Sequence, residues 1–260
     1  MKTTIKLMAV LVMVFVVGQV NAAEEVGLLD PSRFSLETSF ESWKTDLNVD
    51  SGSVSYGGGT KSYTSDTLAE INSSQKYLVK QRRGLVSFGY KIGKARFEGT
   101  LGRSNIESSV KSGNVDMCAR DGGYTYGGKV SLEGIDLGGG FFGESSFSCL
   151  FDKRQNLSFG HPVDPSATKD FQTLNLVGKV GVRYAFGKVD VSGGLMYHDL
   201  QAKETMRAGG TERRWNLSNK DKSGFYAGLG YRPTENVMVG LGCGATGSGG
   251  FVKGSARIRF

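Results

Sequence analysis

The chain has 260 residues, with 39 Gly, 4 Pro and 38% hydrophobic residues, and Lys plus Arg outnumber Asp plus Glu by 32 to 25. Beyond the amino terminus no stretch approaches the roughly eighteen consecutive apolar residues of a membrane-spanning helix. With no linker, low-complexity tract or fixed-period repeat, the chain fits one β-domain of barrel or sandwich type.

Lys2 and Lys6 form a short basic start, followed by an apolar run over residues 7–17 and a small-residue cleavage site at Val20-Asn21-Ala22. That layout predicts a secretory signal peptide over residues 1–22, too short to span a membrane, ahead of a single β-domain over 23–260. Thirty Lys plus Arg then face twenty-five Asp plus Glu, a net charge of +5 by subtraction. No Cys follows the cleavage site, which argues against a lipid anchor.

Alternation of period two runs through the remainder. The first strand covers about 33–44, with Phe34, Leu36, Thr38 and Phe40 on one face. The second carries Val86, Phe88, Tyr90 and Ile92, and the third Phe97, Gly99 and Leu101. A fourth and fifth, Gly-rich and less regular, lie over 126–132 and 135–147. Leu174 to Tyr184 and Val189 to Tyr197 give the sixth and seventh. Phe225 to Tyr231 and Val237 to Leu241 give the eighth and ninth. The tenth, residues 252–260, sets Val252, Gly254, Ala256, Ile258 and Phe260 against Lys253, Ser255, Arg257 and Arg259. Each has roughly the nine to eleven residues that a tilted strand needs to cross a bilayer.

Connections of two kinds alternate. Gly93-Lys94, Glu133-Gly134, Phe186-Gly187-Lys188 and residues 232–236 are short turns. Residues 46–76, 103–122, 148–170 and 199–222 read as long polar loops. In an up-and-down barrel this puts short turns at one rim and long loops at the other. Tyr90, Tyr184 and Tyr231 each close a strand before a short turn, and Phe260 takes the matching place on the last strand. Rings so placed form part of an aromatic girdle, apolar body in hydrocarbon and polar tip in the headgroup layer.

The alternating closing strand with its terminal Phe260 resembles that of Gram-negative outer-membrane β-barrels. The resemblance implies an all-β, transmembrane, up-and-down antiparallel barrel of about ten strands, within a range of eight to twelve. It further implies the outer membrane as location, with membrane lipid, lipopolysaccharide and the barrel-assembly machinery as partners, the last through the C-terminal strand. A secreted soluble barrel or sandwich is the rival, and it leaves the tyrosines and one-sided loops unexplained.

Turned inward, the polar faces place Arg96, Glu98, Lys179, Arg183, Asp190, Lys253, Arg257, Arg259, Glu37 and Glu41 in the lumen. Buried charges need partners, so mixed signs predict a salt-bridged plug, with Glu37 and Glu41 as partners of the closing strand's cations. The leading functional expectation is a structural or surface-interaction barrel acting through long outer loops. The alternative is a narrow, mildly anion-preferring channel for a small anionic solute, similar in its basic lumen to small porins for acidic oligosaccharides. Third comes a rim hydrolase. Its candidates are His198 and Asp199, similar to the Asp/His pair of omptin proteases but without that family's second acidic pair, and with no Ser beside His198 as lipid-modifying enzymes would have. Ser218 is a loop serine that such a site could use, and His161 reads as a loop residue.

Cys118 and Cys149 fall at the loop side, where the exported compartment permits a disulfide, and Cys243 is left over. No cofactor or metal is expected, for no ligand spacing occurs. The clusters Gly57-Gly58-Gly59, Gly138-Gly139-Gly140 and Gly249-Gly250 lack a strand–loop–helix context and read as turn and wall glycines. Trp215, with Arg213, Arg214, Lys220 and Lys222, reads as a basic loop able to touch lipopolysaccharide or simply to be solvated. Nucleic acid is not an expected partner of an exported barrel.

Overall fold

The computed structural model describes residues 30–112, 115–158 and 168–260, with the side chains of 111–121 and 154–158 outside the description. The expected signal segment, His161 and the Cys118 side chain therefore lie outside the described residues. A single antiparallel sheet contains strands β1 (Phe34–Tyr56), β2 (Gly59–Ser62), β3 (Gln75–Ile92), β4 (Ala95–Ser112), β5 (Val115–Gly138) and β6 (Phe141–Ser158). It continues through β7 (Thr168–Phe186), β8 (Val189–Ala208), β9 (Thr211–Ser218), β10 (Ser223–Tyr231), β11 (Val237–Thr246) and β12 (Gly249–Arg259). One helix, α1 (Ser65–Ser74), lies between β2 and β3. No helix among the described residues is long and apolar enough to cross a membrane.

The pairing builds two storeys. In the lower one, β12 closes on β1 and β10 closes on β8, so ten strands form a ring: β1, β3 to β8 and β10 to β12. In the upper one, β10 to β12 have ended, and β9 bridges β8 and β1 instead, leaving eight strands. There β5 and β6 pair only as far as Tyr124 and Lys153, and each continues against its other neighbour. Three backbone bonds stitch the junction: Asp46 N–H to Ser248 O at 2.7 Å, His198 N–H to Lys222 O at 2.7 Å, and Asn219 N–H to Leu200 O at 3.2 Å.

The four expected long loops are corrected by this geometry. Residues 43–56, 103–112, 152–158 and 199–208 continue the strands below them. β8 alone has 20 residues, which at about 3.3 Å per residue and a typical tilt near 40° rise about 50 Å. That is about twice an apolar band of roughly 25 Å. The fifth strand's start is corrected too. The β5–β6 turn is Gly139-Gly140, with φ of 62° and 82°, while Glu133-Gly134 sits in a β-bulge between Leu132 and Ile135. Positive φ suits glycine at both places.

The upper interior is apolar. Leu47, Val49, Tyr77, Val79, Ile106, Val110, Phe171, Leu200, Ala202, Trp215 and Leu217 are buried against one another, and burial pushes the Tyr77 hydroxyl well above its ordinary range. Helix α1 covers this core with Leu68 and Ile71, and Tyr63 joins them. Thr64 caps its start by accepting from Thr67 N–H, and Asn72 ties it to the barrel: Val49 N–H donates to Asn72 Oδ1 at 2.8 Å and Asn72 Nδ2 to Val49 O at 2.9 Å. Trp215, expected on a solvated loop, is turned inward beside Tyr77, ring centroids 5.1 Å apart, with the Arg213 guanidinium 3.8 Å over its ring. Trp215→Ala is expected to destabilise the fold by about 3–5 kcal/mol, measured as a lowered urea midpoint in detergent micelles.

Candidate functional site

The lower lumen is built from the inward faces of ten strands, and its contents sort into layers. At the short-turn end Arg257 reaches Glu37 at 2.6 Å, Glu133 at 3.4 Å and Glu98 at 3.5 Å. Lys253 holds Glu37 at 3.0 Å and Glu41 at 3.4 Å. Lys129 pairs with Glu98 at 3.0 Å and Arg96 with Glu133 at 3.6 Å. On the opposite wall Asp190 takes Arg232 at 2.6 Å and Arg183 at 3.7 Å. Arg259 faces the same space.

Above this floor lies a cavity of about 280 Å³. Trp43 and Phe251 stack at its upper end with centroids 4.5 Å apart, and the Lys179 ammonium rests 4.2 Å from the Phe251 ring centroid. Tyr226 donates to Glu144 at 2.9 Å across the same space. These residues line the interior, Glu133 among them, and the sequence reading missed one that matters as much, Arg232. It sits in a short connection that alternation does not reach.

The next layer is buried throughout. Arg83 from β3 meets Asp152 from β6 across the interior at 2.7 Å, with both side chains at 0% exposure. Asp152 also accepts from Ser104 at 2.6 Å, from Thr173 at 2.8 Å and from Thr125. Gln81 accepts from Arg83 at 3.0 Å and donates to Thr173 at 3.1 Å. A second buried pair, Lys169–Glu204 at 2.8 Å, stands above it, and then the apolar core begins.

The outer surface is the inverse. Phe34, Phe40, Val86, Phe88, Leu101, Val180, Val182, Val191, Leu195, Leu229, Leu241, Val252 and Ile258 are exposed on the lower storey. Tyr184, Phe186, Tyr231 and Phe260 are exposed at the short-turn rim, where half-buried Tyr90 packs on Phe34 at 5.0 Å. Tyr124, Tyr126, Phe151 and Phe225 form a second group at the upper edge. A charged, hydrogen-bonded interior inside an apolar, aromatic-edged wall is stable only with hydrocarbon outside. The fold is that of a transmembrane β-barrel.

No protein-family model and no curated relative matches the sequence. Solved structures of similar shape include the transport unit of the autotransporter AIDA-I from Escherichia coli, 10% identical, covering 95% of this chain and 97% of that one, TM-score 0.40. The toluene transporter TbuX of Ralstonia pickettii is 11% identical over 90% of this chain and 91% of that one, TM-score 0.37. Ail, the attachment invasion locus protein of Yersinia pestis, is 13% identical over 86% and 98%, TM-score 0.29. Likeness at these scores carries no function across.

The remaining expected residues sort by burial. His198 is 1% exposed, its ring 4.3 Å from that of Trp43, and its Nε2 has no partner. Asp199 is 0% exposed and held by Lys222 at 2.6 Å. The two lie on consecutive positions of β8 and so face opposite sides of the wall. They do not form a rim dyad. Register places Cys149 opposite Gly128, ten residues along β5 from Cys118, or about 33 Å. Cys149 is a free thiol, and its expected partner, the Cys118 side chain, lies outside the described residues.

Proposed function

We propose that this chain is an exported outer-membrane barrel, its amino-terminal segment removed on export, that serves as a closed structural and surface-display protein. One observation carries the reading: the Arg83–Asp152 layer spans the interior with no solvent exposure. A conducting path would wet those side chains. Above it the eight-stranded extension with its helical cap stands clear of the apolar band, where it offers a rigid surface rather than mobile loops. The basic lumen supports a solute cavity open to one side more than a through-channel.

The test is a planar bilayer. The refolded full chain is expected to insert, migrate heat-modifiably on a detergent gel, and give no ion-selective steps. Steps with anion preference would establish the channel reading instead, and recovery of the folded chain in a soluble fraction would overturn the membrane placement.

A further inference from the structure

The upper edge of the apolar band carries a row of cations along the arc from β1 to β6. Moving up each of these strands, the first charged outward position is Lys44 on β1, Arg82 on β3, Arg103 on β4 and Lys153 on β6, all exposed. None of the four makes an ion pair among the described residues. On the other arc stand Gln172 on β7 and Asp199 on β8, and Asp199 is neutralised by Lys222. Exposed cations usually find a carboxylate when one is near, and the neighbouring Lys80 does, with Glu107 at 2.9 Å. Four cations left single along a hydrocarbon edge form a positive arc.

Two of them stand above a recess. Arg103 and Lys153 share a rung with Tyr124 between them, which sets their Cα atoms about 10 Å apart. The Arg103 guanidinium lies 5.9 Å from the Tyr124 ring centroid. Directly below, Gly99 pairs with Gly128 and leaves the wall without side chains there. Phe97, Tyr126, Phe147, Cys149 and Phe151 rim the resulting groove on the lipid-facing surface. Tyr126 and Phe151 stack along one side with centroids 5.7 Å apart.

We propose that this recess is a binding site for a phosphorylated membrane lipid. Its phosphates sit between Arg103 and Lys153, and one acyl chain lies in the groove over Gly99 and Gly128. Arg82 and Lys44 extend the same positive edge toward a second headgroup. The site rests on the membrane reading above. Guanidinium and ammonium groups at a bilayer surface favour anionic headgroups, and an apolar groove directly below the cations selects a lipid over a free phosphate.

The experiment titrates the folded full chain, in zwitterionic detergent, with a phosphorylated glycolipid and with the same lipid stripped of its phosphates. Bound lipid is counted by native mass spectrometry. The phosphorylated form is expected to be retained at least about tenfold more tightly, and the variant Arg103→Gln/Lys153→Gln to lose that preference. Gly99→Leu, whose Cβ meets nothing within 4 Å, should fill the groove and weaken both forms. Lys61→Gln, an exposed charge on β2, should change nothing. Equal retention of the two lipids by the wild type, an unaffected double variant, or saturation by inorganic phosphate alone would overturn the site. A barrel that inserts into zwitterionic bilayers without any phosphate preference refutes this site and leaves the membrane reading intact.

Discussion

Asp152→Ala is expected to be among the most damaging single changes in the barrel, lowering stability by about 3–5 kcal/mol. The carboxylate is the common acceptor for Arg83, Ser104, Thr125 and Thr173, donors from four different strands. Removing it strands the Arg83 charge at 0% exposure. Two of that guanidinium's nitrogens, Nε and Nη1, already have no partner, and Gln81 would be left as its one acceptor. The double change Arg83→Met/Asp152→Leu removes the charge together with its need, and should recover most of the stability. Urea midpoints of the refolded variants in micelles check both. A wild-type midpoint for Asp152→Ala would mean the layer is hydrated, which would also weaken the case for a closed lumen.

Much of the lower storey is legible in sequence because its physical cause is simple. Even positions of β1 from Phe34 to Phe40 meet hydrocarbon, odd ones meet the lumen, and period two records it. The upper storey escaped because the apolar phase changes there. On β1 the apolar positions move from even (Phe34, Leu36, Phe40) to odd (Trp43, Leu47, Val49), with the shift at Ser42-Trp43. On β8 they move from odd (Val191, Leu195, Tyr197) to even (Leu200, Ala202). A strand leaving hydrocarbon for water must turn its apolar face from outside to inside without any change of backbone. Read as one pattern, the inversion looks like loss of alternation and hence like a loop. Read as two, it marks the membrane edge and predicts a filled barrel above it. The bulge at Leu132/Ile135 was hidden for a different reason. Glu133-Gly134 has good turn chemistry, and only the longer glycine run to Gly140 reveals where the chain reverses.

The second large effect concerns the seam between β1 and β12, whose residues are over two hundred positions apart in sequence. Such a pairing is slow to find, and in a Gly- and Ser-rich stretch it is weakly specified by packing. Charge supplies the register: Glu37 lies opposite Arg257 and Glu41 opposite Lys253. A one-residue slip would turn the closing strand's cations outward into hydrocarbon. Arg257 also reaches past the seam to Glu98 on β4 and Glu133 beyond it, so it joins the closing strand to the facing wall. Arg257→Met should therefore cost about 3–5 kcal/mol, because Glu37, Glu98 and Glu133 lose a shared cation at once. Adding Glu37→Gln removes one of those carboxylates, and about 1–3 kcal/mol should return as coupling in a double-mutant cycle. The cycle is read from urea midpoints of the four proteins in micelles. Additive losses would show that seam and floor are held independently, and would leave register to the apolar outer face alone.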